Sequence, residues 1–468
     1  PEHHVVPSVG WTSYLPSWSP APAKERGPRL RELGRSRSKD KKTKSVAGFR
    51  NPWPSYHKAT TKEIWDALSW GDDDDTCIPL AALRAGKDVP SGSSPQDRAK
   101  QAASLLAIEK PDFSFDPASQ RAKSTWLGHA GILLQVPGFV QGGTPIRLLF
   151  DPIFSSRCSP SQNVGPIRSH PPPCKLEDLP SVDAVLISHN HYDHLDYDTI
   201  MALWRINQDR IRFFVPLGNI QWFVDCGISE ERITELDWWD SAYLSDSSPE
   251  SKHLKITCTP AQHSSGRDAG DADSSLWSGW YLEHKLHDDQ TYRVFFAGDS
   301  GYQFHGSPTW PPRPPTSRLQ QYPPCPAFKE IATRLGSPHL VFLPIALGAT
   351  YAYVRSFFSD YLPNSTDPFP RHSSGVTGAI HMPPWDAVRV LHDLAGSGAA
   401  NSSSEAPVAV AMHWGTFVTD PIEILKTLGQ LEWACERQGV RFARELEQNE
   451  QGKTPQPRFI AVNHGESV

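Results

Sequence analysis

The stretch Asp183-Ala-Val-Leu-Ile-Ser-His-Asn-His-Tyr-Asp-His-Leu-Asp-Tyr197 decides how this chain is read. Residues 183–187 have the short apolar run of a buried strand. Directly after it come His189, His191, Asp193 and His194. Side-chain direction repeats every two residues in an extended segment, so His189 and His191 point the same way. The chain then turns and presents Asp193 and His194 to a neighbouring point, so one segment can supply two metal ions. Imidazole nitrogen and carboxylate oxygen without thiolate suit zinc in a catalytic role, because closed structural zinc sites lean on cysteine.

A metal pair needs further ligands, and three other strand ends offer them. His263 closes Thr259-Pro-Ala-Gln-His263, Asp299 closes Phe295-Phe-Ala-Gly-Asp299, and His413 closes Val410-Ala-Met-His413. Taken alone, each is more often a structural residue. Four strand ends, each finishing in a metal-ligand residue type, are hard to explain by chance. Gly298, just before Asp299, is the residue that permits close backbone approach there.

Outward from these motifs the pattern is that of an α/β protein. Strands are predicted at 125–136, 146–150, 184–188, 213–216, 255–259, 292–297, 339–345 and 408–412. Helices are predicted at 198–204, 326–335 and 421–438, the second stopped by Gly336. Residues 1–105 read as a low-complexity, largely disordered extension with a basic cluster running from Lys24 to Lys44 and an acidic run at Asp72 to Asp75. The hydrolase-like domain then spans 106–468, broken by insertions at 307–326, dense in proline, and 359–378, rich in Ser, Pro and Gly. Both insertions are expected to be surface loops.

Among the 468 residues the formal net charge is −6, which argues against attraction of the whole molecule to nucleic acid. Its 7 cysteines include no CxxC pair, which fits a reducing, intracellular compartment better than a disulfide framework. No apolar run approaches the length of a membrane-spanning helix. The chain opens on Pro1 rather than methionine, which leaves the organelle open, a mitochondrion included.

The HxHxDH motif followed by His263, Asp299 and His413 resembles the metallo-β-lactamase superfamily. Longer strings resemble, within it, the N-acylphosphatidylethanolamine-hydrolysing phospholipase D family. These are Thr125-Trp-Leu-Gly-His-Ala130, Asp151-Pro-Ile-Phe-Ser-Ser-Arg157, the stretch 183–197, Glu235-Leu-Asp-Trp-Trp239, His413-Trp-Gly-Thr-Phe417 and the closing His464-Gly-Glu-Ser467. The resemblance implies an αββα sandwich of two mixed β-sheets flanked by helices, holding two Zn2+ per chain. It implies one zinc on His189, His191 and His263, a second on Asp193, His194 and His413, and Asp299 between them. It further implies substrate contacts from Tyr192 and His381 and, from their place beside the metals, Asp299 and Asp193 as the residues that orient the attacking water. Asp151, at the end of an adjacent strand, is read as a partner that fixes a ligand imidazole's tautomer or, equally, as a turn-initiating residue before Pro152.

The activity implied is hydrolysis of N-acylphosphatidylethanolamine to N-acylethanolamine and phosphatidic acid. The expected partner is phospholipid at a membrane surface, met by peripheral association, with a homodimer as the family expectation and no nucleic acid. The alternatives are another hydrolase on the same scaffold, a lactonase or a nucleic-acid phosphodiesterase, and a non-enzymatic binding scaffold. A nuclease needs a basic groove beside its metals, and the basic cluster here lies in the detached extension.

Overall fold

The structure is a computed structural model that describes residues 5–7, 46–69, 104–119, 121–245, 254–268, 270–286, 290–306, 322–345, 371–372, 374–396, 406–417, 422–446 and 456–468. The basic cluster from Lys24 to Lys44 and the acidic run at Asp72 to Asp75 lie outside the described residues. So do residues 307–321 and 359–370 of the two insertions.

Strands β1 (Val5–Pro7) and β2 (Val46–Phe49) pair antiparallel, and helix α1 (Thr61–Asp66) leads into β3 (Leu68–Ser69). The first large sheet follows, with β4 (Lys123–Gly128), β5 (Gly131–Val136), β6 (Ile146–Phe150), β7 (Ala184–Leu186), β8 (Arg212–Pro216) and β9 (Ile233–Leu236) in consecutive order. Its first three strands pair antiparallel and β6 to β9 pair parallel. Helices α2 (Tyr197–Asn207) and α3 (Ile220–Asp225) interrupt its parallel half.

The second sheet has the order β10-β11-β12-β13-β14-β16-β18-β17. These strands are β10 (Ser241–Leu244), β11 (Leu254–Thr259), β12 (Gly279–Lys285), β13 (Thr291–Phe296), β14 (Leu340–Pro344), β16 (Val408–Met412), β17 (Arg441–Ala443) and β18 (Arg458–Ile460). It too is antiparallel from β10 to β13 and parallel beyond. Helices α4 (Ala327–Leu335), α5 (Ser374–Thr377), α6 (Pro384–Ala395) and α7 (Ile422–Gln438) come from its connections, and the short strand β15 (Arg371–His372) pairs with β3.

The period of two along a strand sorts side chains into two cores. Ile132, Leu134 and Val136 of β5, with Leu148 and Phe150 of β6, face the second sheet, where Phe150 stacks on Phe296 with ring centroids 4.7 Å apart. The alternate residues Leu133 and Leu149 turn outward to Ile200, Leu203, Trp222 and Phe223 of α2 and α3. The interior parallel strands are covered on both faces, which is why β7 and β14 are buried throughout and read as unbroken apolar runs. No helix among the described residues is long and apolar enough to cross a membrane.

Three sequence expectations need correction. The predicted strand 125–136 is two strands, because the chain reverses at Gly128 (φ 95°) and His129 (φ 52°). Residues 46–69 fall in the extension expected to be largely disordered, but residues 48–57 pack on the domain and lead into the ordered, mostly exposed helix α1. Phe49 N–H donates to the Asp273 carbonyl at 2.8 Å, and Trp53 stacks on Trp238 at 5.4 Å. Apolar and aromatic anchors among polar, proline-flanked residues supply that burial. The end of the second insertion is not a free surface loop either: the Gly378 carbonyl accepts the N–H groups of Tyr302 (2.8 Å) and Gln303 (3.2 Å).

Candidate metal centre

Each candidate ligand stands just beyond a strand end on one rim of the sandwich. After β7 the chain passes through His189 to His191 and then turns, with Leu195 N–H donating to the His191 carbonyl at 2.8 Å. His263 follows β11, Asp299 follows β13 and His413 follows β16. A side chain at Gly298 would collide with Ser188, its Cβ falling 2.6 Å from the serine Cβ, so glycine lets Asp299 reach the motif. All seven sequence-predicted ligands meet here.

They form two opposed groups. In the first, His189 Nε2 lies 2.8 Å and His263 Nε2 3.3 Å from His191 Nδ1. The second joins Asp193, His194 and His413, with His194 Nε2 and His413 Nε2 at 3.5 and 3.6 Å from Asp193 Oδ2. Asp299 Oδ2 stands between the groups, 3.1 Å from His194 Nε2, 3.0 Å from His413 Nε2 and 3.8 Å from His263 Nε2.

Neighbouring hydrogen bonds set the tautomers. The Ile380 carbonyl can only accept, so His263 Nδ1, 3.0 Å away, carries the proton and leaves a lone pair on Nε2. Ser188 Oγ–H donates to Asp151 Oδ2 at 2.5 Å, which leaves that hydroxyl to accept from His189 Nδ1 at 2.9 Å. Lone pairs on both Nε2 atoms therefore converge on His191 Nδ1. One proton there cannot serve both, whereas one cation can serve all three. Opposite them, His194 Nε2 and His413 Nε2 crowd Asp299 Oδ2 at 3.1 and 3.0 Å without hydrogen-bond geometry, and Asp299 Oδ1 is buried with no hydrogen-bond partner among the described residues. Such orphaned atoms are costly unless something binds them. The residues present fit metal ions on both sides of Asp299.

The electrostatics divide the histidines into two kinds. Burial holds the imidazoles of His189 and His263 well below the ordinary histidine range, in the neutral form a metal needs. Burial works against ionising Asp193 and Asp299, but His194 and its neighbours outweigh it and keep both carboxylates well below their usual range. Burial likewise opposes charge on His194 and His413, yet the surrounding carboxylates raise His194 well above its ordinary value and His413 to about 9.

Asp151 is fully buried on the far side of His194, its Oδ2 accepting from His194 Nδ1 at 2.7 Å and its Oδ1 accepting the Ser188 N–H at 2.7 Å. His381 reaches the centre despite the insertion before it, with Nε2 3.2 Å from Asp299 Oδ2. The half-buried ring of Tyr192 lies under the Arg267 guanidinium, 3.9 Å from the ring centroid.

Sequence reasoning missed His129. Its Nε2 is 2.9 Å from Asp193 Oδ2, and it groups with Asp193, His194 and His413 as a fourth possible metal ligand. The signal was present in Gly128-His129-Ala130, but a continuous strand reading hid the reversal that turns the ring inward. His129, Asp151 and His413 all hold positive φ (52°, 38° and 58°). Non-glycine residues rarely adopt that region, and such strain collects at functional sites.

Residues 146–310 match the family described as Beta-lactamase superfamily domain. An uncharacterized protein of Mycobacterium tuberculosis is 35% identical over 348 residues, 74% of this chain and 73% of its own length. N-acyl-phosphatidylethanolamine-hydrolyzing phospholipase D 1 of Caenorhabditis elegans is 32% identical over 298 residues, 63% of this chain and 64% of that protein. The mitochondrial N-acyl-phosphatidylethanolamine-hydrolyzing phospholipase D of Saccharomyces cerevisiae is 27% identical over 319 residues, 68% of this chain and 53% of that protein. Sandwich topology, the histidine–aspartate centre and these relatives converge: the chain belongs to the metallo-β-lactamase superfamily, as a metal-dependent hydrolase.

Proposed function

We propose that this protein is a binuclear zinc phosphodiesterase of phospholipase D type that hydrolyses N-acylphosphatidylethanolamine to N-acylethanolamine and phosphatidic acid. The observation that carries the reading is the position of Asp299 Oδ2 between two ligand groups, 3.0 Å from His413 on one side and 3.8 Å from His263 on the other. Nitrogen and oxygen donors without thiolate favour zinc over softer alternatives. Relatives named for this lipid activity supply the substrate class.

His189, His191 and His263 would hold one ion, and Asp193, His194 and His413 the other, with Asp299 shared. A bound pair would supply Lewis acidity and a water acidified toward neutrality. The residues' own tasks follow from their places. Asp299 Oδ1, buried and without a hydrogen-bond partner among the described residues, is available to accept a water proton and aim the oxygen. His381 Nε2, on a side chain 16% exposed against 1% for Asp299, stands on the solvent side and can donate to a phosphoryl oxygen. In the overall reaction the water oxygen joins phosphorus, the bond from phosphorus to the ethanolamine oxygen breaks, and a proton ends on the released hydroxyl. The substrate would be met by peripheral association with an intracellular membrane.

The test is zinc content together with phosphatidic acid release from vesicles of N-acylated phosphatidylethanolamine, run beside lactone and RNA substrates. Asp299→Asn should abolish release, with a much smaller effect on vesicle binding. Hydrolysis of a lactone or of RNA in place of the lipid would overturn the substrate.

A further inference from the structure

We propose that residues 48–55, far ahead of the catalytic motifs in sequence, act as a strap that positions the candidate ligand His263, with Asn51 as its positioning residue. The inference rests on His263 being a metal ligand.

The observation is a reciprocal pair of hydrogen bonds across 212 residues. Asn51 Oδ1 accepts the His263 N–H at 3.1 Å, and Asn51 Nδ2 donates to the His263 carbonyl at 2.7 Å. His263 is fully buried, so both main-chain groups need partners. Among the described residues, the hydrogen bonds of this N–H and this carbonyl go to Asn51. The carboxamide thus does for one residue what a neighbouring strand would do, and only a side chain with a donor and an acceptor side by side can do it.

The rest of the strap grips the same loop. Ser55, fully buried, donates from Oγ to Gln262 Oε1, and Gln262 Nε2 donates on to the Ala379 carbonyl at 2.9 Å. Trp53 stacks on Trp238, whose Nε1 donates to the Trp277 carbonyl at 2.7 Å, and Trp277 Nε1 donates to the Ala261 carbonyl at 2.9 Å. At the strap's start, a Cβ at Gly48 would come within 2.8 Å of the Asp273 carbonyl oxygen, so the backbones touch there. Residues 262 and 263 are therefore reached directly, and residue 261 through Trp238 and Trp277, from a segment that supplies no ligand itself. The ring of His263 is held on its other edge by the Ile380 carbonyl. Asn51 fixes the main chain and Ile380 fixes the ring, which together aim Nε2 at the centre.

The full-length protein would be stripped of metal and titrated with Zn2+ and with Co2+, whose absorption reports ligand number and geometry. Partners that orient a ligand are worth about 10–100-fold in metal affinity. Asn51→Ala should weaken one metal equivalent by about that factor and change its cobalt spectrum, with the other equivalent unaltered. Asn51→Asp keeps size and one acceptor but sets a carboxylate oxygen against the His263 carbonyl, and should weaken the same equivalent at least as much as Asn51→Ala. Hydrogen exchange of metal-free protein gives a readout independent of metal and of folding yield in the alanine variant: amides of 260–264 should exchange at least about tenfold faster in Asn51→Asp, with those of 184–188 unchanged. Native affinities and unchanged exchange in both variants would overturn the strap. Failure of the wild-type protein to bind metal would instead overturn the reading of His263 as a ligand.

Discussion

Asp151 and His194 form a wholly buried carboxylate–imidazole pair, Oδ2 to Nδ1 at 2.7 Å, placed directly behind the candidate metal centre. A carboxylate behind a ligand imidazole fixes its tautomer and raises its basicity. Asp151→Asn should therefore lower metal affinity on the His194 side by about 10–100-fold and leave the other equivalent tight. Competitive zinc titration measures this, and two unchanged equivalents would mean that Asp151 only caps a turn.

His129 donates to or shares a metal with Asp193, and its backbone is left-handed. His129→Gly removes the ring without adding strain, since glycine accepts positive φ. Loss of about tenfold or more in affinity at the Asp193 side is the expected result. The comparison with His129→Ala separates ring from backbone, because alanine adds strain while also lacking the imidazole; alanine should melt lower than glycine in thermal unfolding.

The pH dependence of the metal-free protein follows from His413. Burial opposes its charge, but Asp299 and Asp193 outweigh it and raise its pKa from 6.5 to about 9. A proton held more tightly in the folded state stabilises that state. The contribution is complete below pH 6.5, shrinks as pH rises and is gone once pH passes about 9. A metal must displace this proton, so zinc binding at pH 7 should release protons and apparent affinity should climb with pH until about 9. Calorimetry in buffers of different ionisation enthalpy counts the protons; a buffer-independent heat contradicts the assignment.

The fold itself hinges on the contact between sheets. Phe150 is fully buried and stacked on Phe296, so Phe150→Ala opens a cavity between the two layers. Substitutions of this kind cost about 3–5 kcal/mol. Urea unfolding should show a lower midpoint at similar slope.

The contiguous ligands His189, His191, Asp193 and His194 were legible because one strand end determines all four directions. His263, Asp299 and His413 were legible because strand ends are where an α/β sandwich displays side chains. The unbroken apolar run Ile132, Leu133 and Leu134 announces burial, but not which residue meets the second sheet and which the helices. His129 was harder to read, because Gly128 alone marks the place where two left-handed residues reverse the chain inside an apolar run. Asn51 was not legible: a carboxamide's partner is chosen by proximity in space, and His263 lies 212 positions away. Local chemistry and apolar patterning determined which residues could bind metal and which runs are buried. Tertiary structure alone decided which distant backbone groups meet, because hydrogen bonds between remote segments depend on the path of the chain and leave no periodic trace along it.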